Sequence, residues 1–499
     1  MIFQKHFNSI ASRLCDHKLK RNQGLIVTPF NDALGDSLHL NSWIKERMPE
    51  YIWLGLILMY YGRKNGFNIA GKLLLKLAAR FNTLSHPKLS HFFSMNNEEQ
   101  KEAYEIIIKF IDKRVLTPLT AIYKPRNYKV FNDFFNTSKI KVKEKIHVLY
   151  NAVKTFYNHQ SNEATDLRYL SITFLFFNKL IKIPASTANT FYEYPMTDHS
   201  EEKMKSYRPT IRSTEMTFSS DLNNYSSNIN INFIDFFWRN ISMKTECNPI
   251  EIIFKKSDEN YDEFIMKCRE IIKYLLLSFK DESINDDKFS VITGSLNYIT
   301  KIFNEINNAS IGDSIIGRLG FRTIVEVYIM LKYLIINEKK HKNIWLDYKL
   351  YGISKLKSTL IKSREIKLDK KAHFIQPLAE AIVNEIKSEE FIDIDLKYFD
   401  KQNIRDKFNS VDEKELYDIY YEYDSNYSHG FWSAIRESSL LFCNNPTHQY
   451  HSIADYNFCQ RNSDVKFDCY KIIVKAFLLI KPIYKIPKSL FYDFDKHYK

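Results

Sequence analysis

Glycine and proline are scarce in this chain, which has 12 glycines and 13 prolines among its 499 residues. Sheets that are joined by many tight turns need these two residues at the turns. Their scarcity therefore argues against a turn-rich β-sandwich and favours long, uninterrupted elements. The composition predicts an all-α fold.

A compact cysteine framework is also missing, because the 6 cysteines are scattered from Cys15 to Cys469. The first residues, MIFQKHFNSIASRLCDHK, lack the apolar core of a signal peptide. We therefore expect reduced thiols and a cytoplasmic location.

Long apolar runs are absent as well. The two strongest runs, residues 51–61 and 169–177, are shorter than the roughly 20 residues that a helix needs to span a bilayer. We expect no membrane association.

The familiar motifs of nucleotide hydrolysis and classical hydrolases do not occur in the chain. It has no Walker-type loop, no Rossmann glycine fingerprint, no Gly-x-Ser-x-Gly elbow and no His-Glu-x-x-His pair. These reaction classes are therefore disfavoured.

Positive charge is in excess, since 72 Lys and Arg oppose 59 Asp and Glu, a formal charge of +13. Such an excess favours polyanionic partners such as RNA or DNA. A lysine-rich surface without such a partner is the alternative. Hydrophobic residues make up 44% of the chain, which is enough for packed cores, and its length predicts more than one domain.

Helical periodicity divides the chain into three regions. Residues 1–183 predict an N-terminal helical domain, and residues 231–499 predict a C-terminal helical bundle. Residues 184–230, rich in Ser, Thr, Asn and Tyr, predict an irregular polar linker or excursion between them. This segment holds Arg208 and Arg212 beside tyrosine, a pattern that suits contact with a phosphate backbone. A solvated loop is the alternative.

Three charged residues recur at steps of four in an otherwise apolar helical stretch: Arg318, Arg322 and Glu326. Such steps place them on one face of the helix. A helix that is apolar nearly all round is buried, so the charged face meets either protein or a cleft. The Arg322–Glu326 pair either joins helices or forms part of a site.

A second stretch aligns Tyr421, Ser425 and His429 at the same step, with Tyr427 beside the histidine and Arg436 further along. An imidazole with hydroxyl neighbours and a nearby arginine suits proton transfer at a phosphate or acyl centre. A core histidine that is hydrogen-bonded to a hydroxyl is the alternative.

Together these stretches resemble a helical bacterial family, the domain-of-unknown-function 5677 family, which is similar to HEPN-like domains and to abortive-infection proteins of phage defence. The resemblance spans roughly residues 290–445 and includes a Trp345-x-x-Tyr348 segment. Its motif residues are Arg322, Glu326, Ser425, Ser428 and His429.

The resemblance implies metal-independent RNA cleavage. His429 would act as acid or base on a ribose 2′-hydroxyl, and Arg322 or Arg436 would stabilise charge on the phosphate. Glu326 would orient the arginine, and Tyr421 or Tyr427 would stack a base. The predicted catalytic residues are thus His429, Arg322, Glu326, Ser425 and Arg436. The predicted nucleic-acid-binding residues are Arg318, Tyr421, Tyr427, Arg208 and Arg212.

A further cluster, Cys443, His448, His451 and Cys459, falls within 17 residues and has the ligand types that zinc prefers. The Cys-x-x-Cys pairing of familiar closed zinc sites is absent from it. We therefore predict no metal and no cofactor.

The leading hypothesis is an RNA-directed effector, a ribonuclease of defence or toxin type. One alternative is a non-catalytic sensor or assembly subunit that binds nucleic acid, another protein or a second copy of itself. Another alternative is a protein that binds a phosphorylated small ligand.

Overall fold

The computed structural model describes residues 13–20, 24–34, 42–221, 231–254, 259–281, 286–366, 368–369, 371–394, 399–457, 462–492 and 494. These residues form helices with only one two-stranded and one three-stranded sheet. The all-α prediction is therefore confirmed. Within these ranges, no helix is both long enough and apolar enough to cross a membrane.

The chain divides into two compact units. The first comprises Met1–Pro249 together with Cys443–His451, and the second comprises Ile250–Phe442 together with Ser452–Lys499. This division differs from the predicted one, because the first unit includes the polar segment, residues 231–249 and the stretch Cys443–His451.

The core of the first unit is built around the helix Met48–Tyr61, in which every residue from Met48 to Leu58 is buried. Its neighbours are the helices Arg63–Arg80, Val142–Phe156 and Asn162–Phe177. The α-helices described in this unit are Pro29–Leu34, Met48–Tyr61, Arg63–Arg80, Leu89–Ser94, Asn97–Phe110, Lys129–Phe135, Val142–Phe156, Asn162–Phe177, Ala185–Glu193, Met204–Asp221 and Ile231–Ser242. The strands Lys18–Lys20 and Leu25–Val27 pair antiparallel in the same unit.

Gly55 allows a close helix contact in this core. A Cβ atom at this position would overlap the aromatic ring of Phe156. The absent side chain therefore lets the helix Val142–Phe156 pack directly on the backbone of the helix Met48–Tyr61.

The polar segment is more regular than predicted, because it contains the helices Ala185–Glu193 and Met204–Asp221. Residues 222–230 lie outside the described part of the chain. The second helix even contains Pro209, a residue that costs a helix a hydrogen bond. The helix Met204–Asp221 nevertheless forms and packs on the helix Asn162–Phe177. Tertiary contacts thus outweigh the low helix propensity of its many Ser and Thr residues.

A buried ionic group joins this helix to the core. The Glu215 carboxylate accepts hydrogen bonds of 3.0 and 2.8 Å from Nη1 of Arg47 and lies 3.7 Å from Nε of Arg168. All three side chains are at most 5% exposed. Glu215 therefore places a carboxylate beside two buried arginines and offsets their charge.

The second unit is organised around the helix Ile315–Asn337, which packs against Asp287–Asn308, Glu422–Ser428 and Lys466–Ile480. Ser314 begins this helix, because its Oγ accepts the N–H of Gly317 at 3.0 Å. The α-helices described in the unit are Asp262–Ser278, Asp287–Asn308, Ile315–Asn337, Ile344–Glu365, Gln376–Val383, Ile404–Ser410, Glu422–Ser428, Trp432–Ser439 and Lys466–Ile480. The three-stranded sheet has the order Pro249–Ile250, Leu440–Cys443, Ser452–Ala454.

Candidate functional site

An open cavity of about 850 Å³ lies in the second unit. It lies between two elements that the sequence had singled out: the arginine helix, Ile315–Asn337, and the tyrosine segment, Leu416–Ser428. The tyrosine segment begins as a π-helical turn and continues as the helix Glu422–Ser428. Five predicted site residues line the cavity: Arg318, Arg322, Tyr421, Ser425 and His429.

The arginine helix is held in place by its apolar faces, which bury Phe321, Ile324, Val325 and Ile329. Its polar stripe consequently meets the tyrosine segment rather than solvent alone. The two elements are in direct contact along this face. Because polar residues recur every four positions on both elements, the polar side chains of the arginine helix lie opposite those of the tyrosine segment.

Arg322 forms the central contacts of the site. Its Nε donates to Oγ of Ser425 at 3.1 Å, and its Nη2 donates to the Tyr421 hydroxyl at 2.7 Å. Its Nη1 lies 3.1 Å from Oε2 of Glu326. The guanidinium also lies over the Tyr421 ring, 4.7 Å from its centroid. Since each terminal nitrogen carries two N–H groups, one N–H on each has no partner among the described residues.

Arg318 lies one helical turn earlier and is largely buried. Its Nη1 lies 3.4 Å from Oδ1 of Asp424, and its Nη2 donates to Oγ of Ser463 at 2.6 Å. The guanidinium also contacts the rings of Tyr423 and Tyr427, with centroid distances of 5.2 and 5.8 Å. Arg318 is therefore fixed by the protein on several sides.

Asp424 lies at the site, although no pattern in the sequence singled it out. It is one of the residues that line the cavity, yet only 1% of its side chain is exposed. Burial raises the pKa of Asp424 from 3.8 to about 7, and the nearby Arg318 only partly opposes this effect. The buried stripe of the arginine helix was the available signal, because a buried arginine requires an anionic or polar partner.

His429 lies at the end of the tyrosine segment and is exposed. The helix ends before it, because Gly430 adopts the left-handed conformation at φ +60° and the Phe431 N–H bonds to the Asn426 carbonyl at 2.9 Å. The imidazole packs beside the Phe431 ring, 5.4 Å between centroids. It has no hydrogen-bond partner among the described side chains. The alternative of a hydrogen-bonded core histidine is therefore wrong.

Other predicted site residues lie outside the cavity wall. Glu326 contacts it only through Arg322 and Tyr421. Tyr427 is buried, and its hydroxyl lies 3.4 Å from Asn462 Oδ1. Arg436 donates to the Leu440 carbonyl at 2.9 Å, at the end of its own helix.

Arg208 and Arg212 belong to the first unit and are engaged there. Arg208 donates to Oδ1 of Asn162 at 2.8 Å, and Arg212 donates to Oγ1 of Thr165 at 2.8 Å. Both contacts hold the helix Met204–Asp221 against its neighbour. The prediction that they contact nucleic acid stays a prediction.

The first unit also contains a cluster of metal-ligand side chains, in which Cys247, Cys443, His448 and His451 converge. Three of them had been singled out in the sequence. The fourth residue of the predicted cluster, Cys459, lies outside the described residues. Cys247, which the sequence did not indicate, belongs to the described cluster.

A protein-family model described as a family of unknown function (DUF5677) matches residues 289–448. The match covers both the arginine helix and the tyrosine segment. No curated protein and no solved structure matches the chain. The resemblance to DUF5677 is confirmed for this part of the chain, whereas a relation to HEPN-like domains stays a prediction.

Proposed function

We propose that the cavity of the second unit binds RNA and that His429 and Arg322 catalyse cleavage of one phosphodiester bond. The observation that carries the proposal is the presence of an exposed imidazole and a partly exposed guanidinium in one cavity wall. The imidazole has no hydrogen-bond partner in the described chain, and the guanidinium has spare N–H donors. These two groups supply a proton acceptor and a phosphate ligand.

The reaction uses the ribose 2′-hydroxyl as nucleophile. His429 takes the hydroxyl proton, the 2′-oxygen bonds to the adjacent phosphorus, and the bond from phosphorus to the 5′-oxygen breaks. The leaving 5′-oxygen takes a proton from solvent, which gives a 2′,3′-cyclic phosphate and a 5′-hydroxyl. The free N–H groups of Arg322 stabilise the charge that develops on the phosphoryl oxygens.

A tyrosine ring is available for stacking a base, but it is a different ring from those predicted. Tyr421 and Tyr427 are each only 6% exposed, so their faces are covered by protein. Tyr423 lines the same cavity and is 39% exposed. We therefore assign base stacking to Tyr423.

The test is cleavage of a short RNA by the purified full chain in EDTA, with a matched substrate in which the riboses are 2′-deoxy. We expect cleavage of the RNA alone, with a 2′,3′-cyclic phosphate end. His429→Ala should reduce the rate at least about 100-fold, and Arg322→Lys should reduce it by a similar factor of about 100. His341→Ala, an exposed histidine of the same unit, is the control and should retain the wild-type rate.

Two outcomes would contradict the assignment. Cleavage that survives in His429→Ala would place the chemistry elsewhere. Equal cleavage of the 2′-deoxy substrate would rule out the 2′-hydroxyl as the nucleophile. If the wild-type chain binds RNA but leaves it intact, a non-catalytic binding function takes precedence.

A second candidate function is binding of a phosphorylated small ligand. The cavity volume falls within the roughly 300–1,000 Å³ range of small-molecule sites. Asp418, Glu422 and Asp468 also line the wall and weaken its attraction for a long polyanion. A rise in thermal midpoint with mononucleotides, lost in Arg322→Ala and not accompanied by RNA cleavage, would favour this function.

We also propose a role in phage defence or as a toxin, because residues 289–448 match the DUF5677 family, which we expect to be related to HEPN-like domains and abortive-infection proteins. If the cavity cleaves cellular RNA, expression of the chain in a bacterium should arrest growth. The His429→Ala chain, expressed at the same level, should not. If the wild type and His429→Ala both arrest growth, the toxicity does not come from the proposed RNA cleavage.

A further inference from the structure

The geometry points to a zinc site in the first unit: we propose that Cys247, Cys443, His448 and His451 bind one Zn²⁺ ion with tetrahedral coordination. All four residues belong to that unit. The proposal is independent of the function assigned to the cavity, since none of these residues lies in the second unit.

The distances between the ligand atoms match those around a tetrahedral zinc ion. Sγ of Cys247 lies 3.3 Å from Nδ1 of His448 and 3.3 Å from Nε2 of His451. Sγ of Cys443 lies 3.8 Å from Nδ1 of His448. The four ligand atoms all lie within 4.8 Å of one another. Zinc–sulfur and zinc–nitrogen bonds of ordinary length separate sulfur from nitrogen by about 3.5 Å in a tetrahedron.

The backbone fixes the tautomer of His448 in the form that a metal requires. Nε2 of His448 lies 3.1 Å from the Ser242 carbonyl oxygen and 3.2 Å from that of Thr245. Oγ1 of Thr245 also lies 3.0 Å from Nε2 and can accept a hydrogen bond. Because carbonyl oxygens only accept hydrogen bonds, we assign the proton to Nε2 and the lone pair to Nδ1. That lone pair is on the nitrogen near both cysteine sulfurs. Carbonyl oxygens behind the imidazole orient histidine ligands in zinc sites in the same way.

The loop that supplies three ligands is shaped to bring them together. The Cys443 N–H donates to the His451 carbonyl at 2.9 Å, which closes the loop at its two ends. Gln449 and Tyr450 both adopt left-handed backbone conformations, with φ values of 55° and 51°. This reversal lets His448 and His451 approach the same point from a short stretch of chain.

The fourth ligand comes from a distant part of the sequence, yet its segment is bonded to the loop. The Asn248 N–H donates to Sγ of Cys443 at 3.4 Å, and the Asn444 N–H donates to the Asn248 carbonyl at 2.7 Å. Asn445 donates from Nδ2 to the Glu246 carbonyl at 2.7 Å. These hydrogen bonds hold Cys247 beside the loop, so the ligand set is assembled by the protein itself.

The chemistry of the donors favours zinc over other common metals. Two thiolates and two imidazoles form a soft, four-coordinate set, which suits Zn²⁺ and does not suit Mg²⁺ or Ca²⁺. The two thiols release their protons when the metal binds, and the two thiolates neutralise the charge of the ion. Four protein ligands leave no position for substrate, so the role is structural. Cys247 and His451 are exposed and give the metal a route of entry.

The consequence is a metal-coordinated link between two segments that are 201 residues apart at Cys247 and His448. Because the four ligands converge only in the folded chain, the free energy of zinc binding adds to the free energy of unfolding. Zinc should therefore hold the loop Cys443–His451 in the first unit and raise the resistance of that unit to unfolding.

The test is elemental analysis of the full chain, produced with zinc under reducing conditions, together with its thermal midpoint before and after chelation. We expect about one zinc ion per chain and a fall of at least about 5 °C in the midpoint on chelation. Cobalt in place of zinc should give the visible absorption of a tetrahedral thiolate complex. Cys247→Ser and His451→Ala change exposed residues and should each abolish stoichiometric zinc.

The controls are Cys15→Ser and His147→Ala, which alter an exposed cysteine and an exposed histidine of the same unit. Both should retain zinc and the wild-type midpoint. Circular dichroism of Cys247→Ser should show intact helices, which separates metal loss from failure to fold.

Three results would overturn the proposal. The purified chain could contain no zinc and show no change in thermal midpoint when Zn²⁺ is added. Zinc could persist in both ligand variants, or Cys247 and Cys443 could form a disulfide in protein purified with reductant. Failure of the zinc proposal would leave the cavity proposal intact, because the RNA-cleavage test uses variants of residues in the second unit.

Discussion

Replacing Asp424 by Asn should stabilise the protein at alkaline pH, although the change removes the carboxylate nearest to Arg318. Burial raises the pKa of Asp424 from 3.8 to about 7 in the folded chain. The folded state therefore binds more protons than the unfolded state between these two pH values. The free energy of unfolding falls as the pH rises through this window.

The magnitude follows from the shift. Each pKa unit corresponds to about 1.4 kcal/mol, so the ionised Asp424 costs on the order of 4 kcal/mol at pH 8. An asparagine side chain matches the protonated acid in shape and charge, and its oxygen can still accept a hydrogen bond from Arg318. Asp424→Asn should thus avoid the cost at pH 8 and match the wild type near pH 4.

The assay is thermal unfolding of the wild type and of Asp424→Asn, monitored by circular dichroism at intervals from pH 4 to pH 8. The midpoint of Asp424→Asn should exceed that of the wild type by on the order of 10 °C at pH 8, and the difference should vanish near pH 4. Asp412→Asn, at an exposed position, is the matched control and should show no pH-dependent difference. A variant that is less stable than the wild type at pH 8 would refute the reasoning, because Asp424 would then be an ionised partner of Arg318.

Two further predictions concern the first unit. Glu215→Gln should lower the free energy of unfolding by about 3–5 kcal/mol, because it removes the carboxylate that lies beside the buried Arg47 and Arg168. Chemical denaturation measures this free energy, and a loss below about 1 kcal/mol would contradict the prediction. Gly55→Ala should cost about 1–3 kcal/mol through overlap with the neighbouring ring. Gly71→Ala, in a helix and with nothing within 4 Å of the added Cβ, should instead stabilise the chain by roughly 0.5–1 kcal/mol, and equal effects of both changes would refute the packing argument.

Local sequence patterns predicted much of the second unit. The four-residue steps of Arg318, Arg322 and Glu326 placed them on one helix face, and apolar residues on the other faces required that helix to be buried. Hydroxyl and imidazole groups on the tyrosine segment were identified in the same way. Both patterns are local, because helical geometry alone decides which residues share a face.

Propensity was less reliable in the polar segment, where two helices replace the irregular stretch that the residues suggested. Helices of this kind are stabilised by the core they pack on, so their own sequence carries little of the signal. The tyrosine segment ends by a local signal instead, since Gly430 adopts the left-handed conformation directly after His429.

By itself, the sequence determined the fold class and the alignment of polar residues on the arginine helix and on the tyrosine segment. Composition and helical periodicity can be read from a few turns of chain. Only the tertiary structure decided that Arg318 meets Asp424 and that Cys247 lies beside Cys443, His448 and His451. Those partners are brought together by the packing of whole helices around a core. No local pattern determines which distant residue contacts Arg318 or Cys443, because that contact depends on how every intervening element packs.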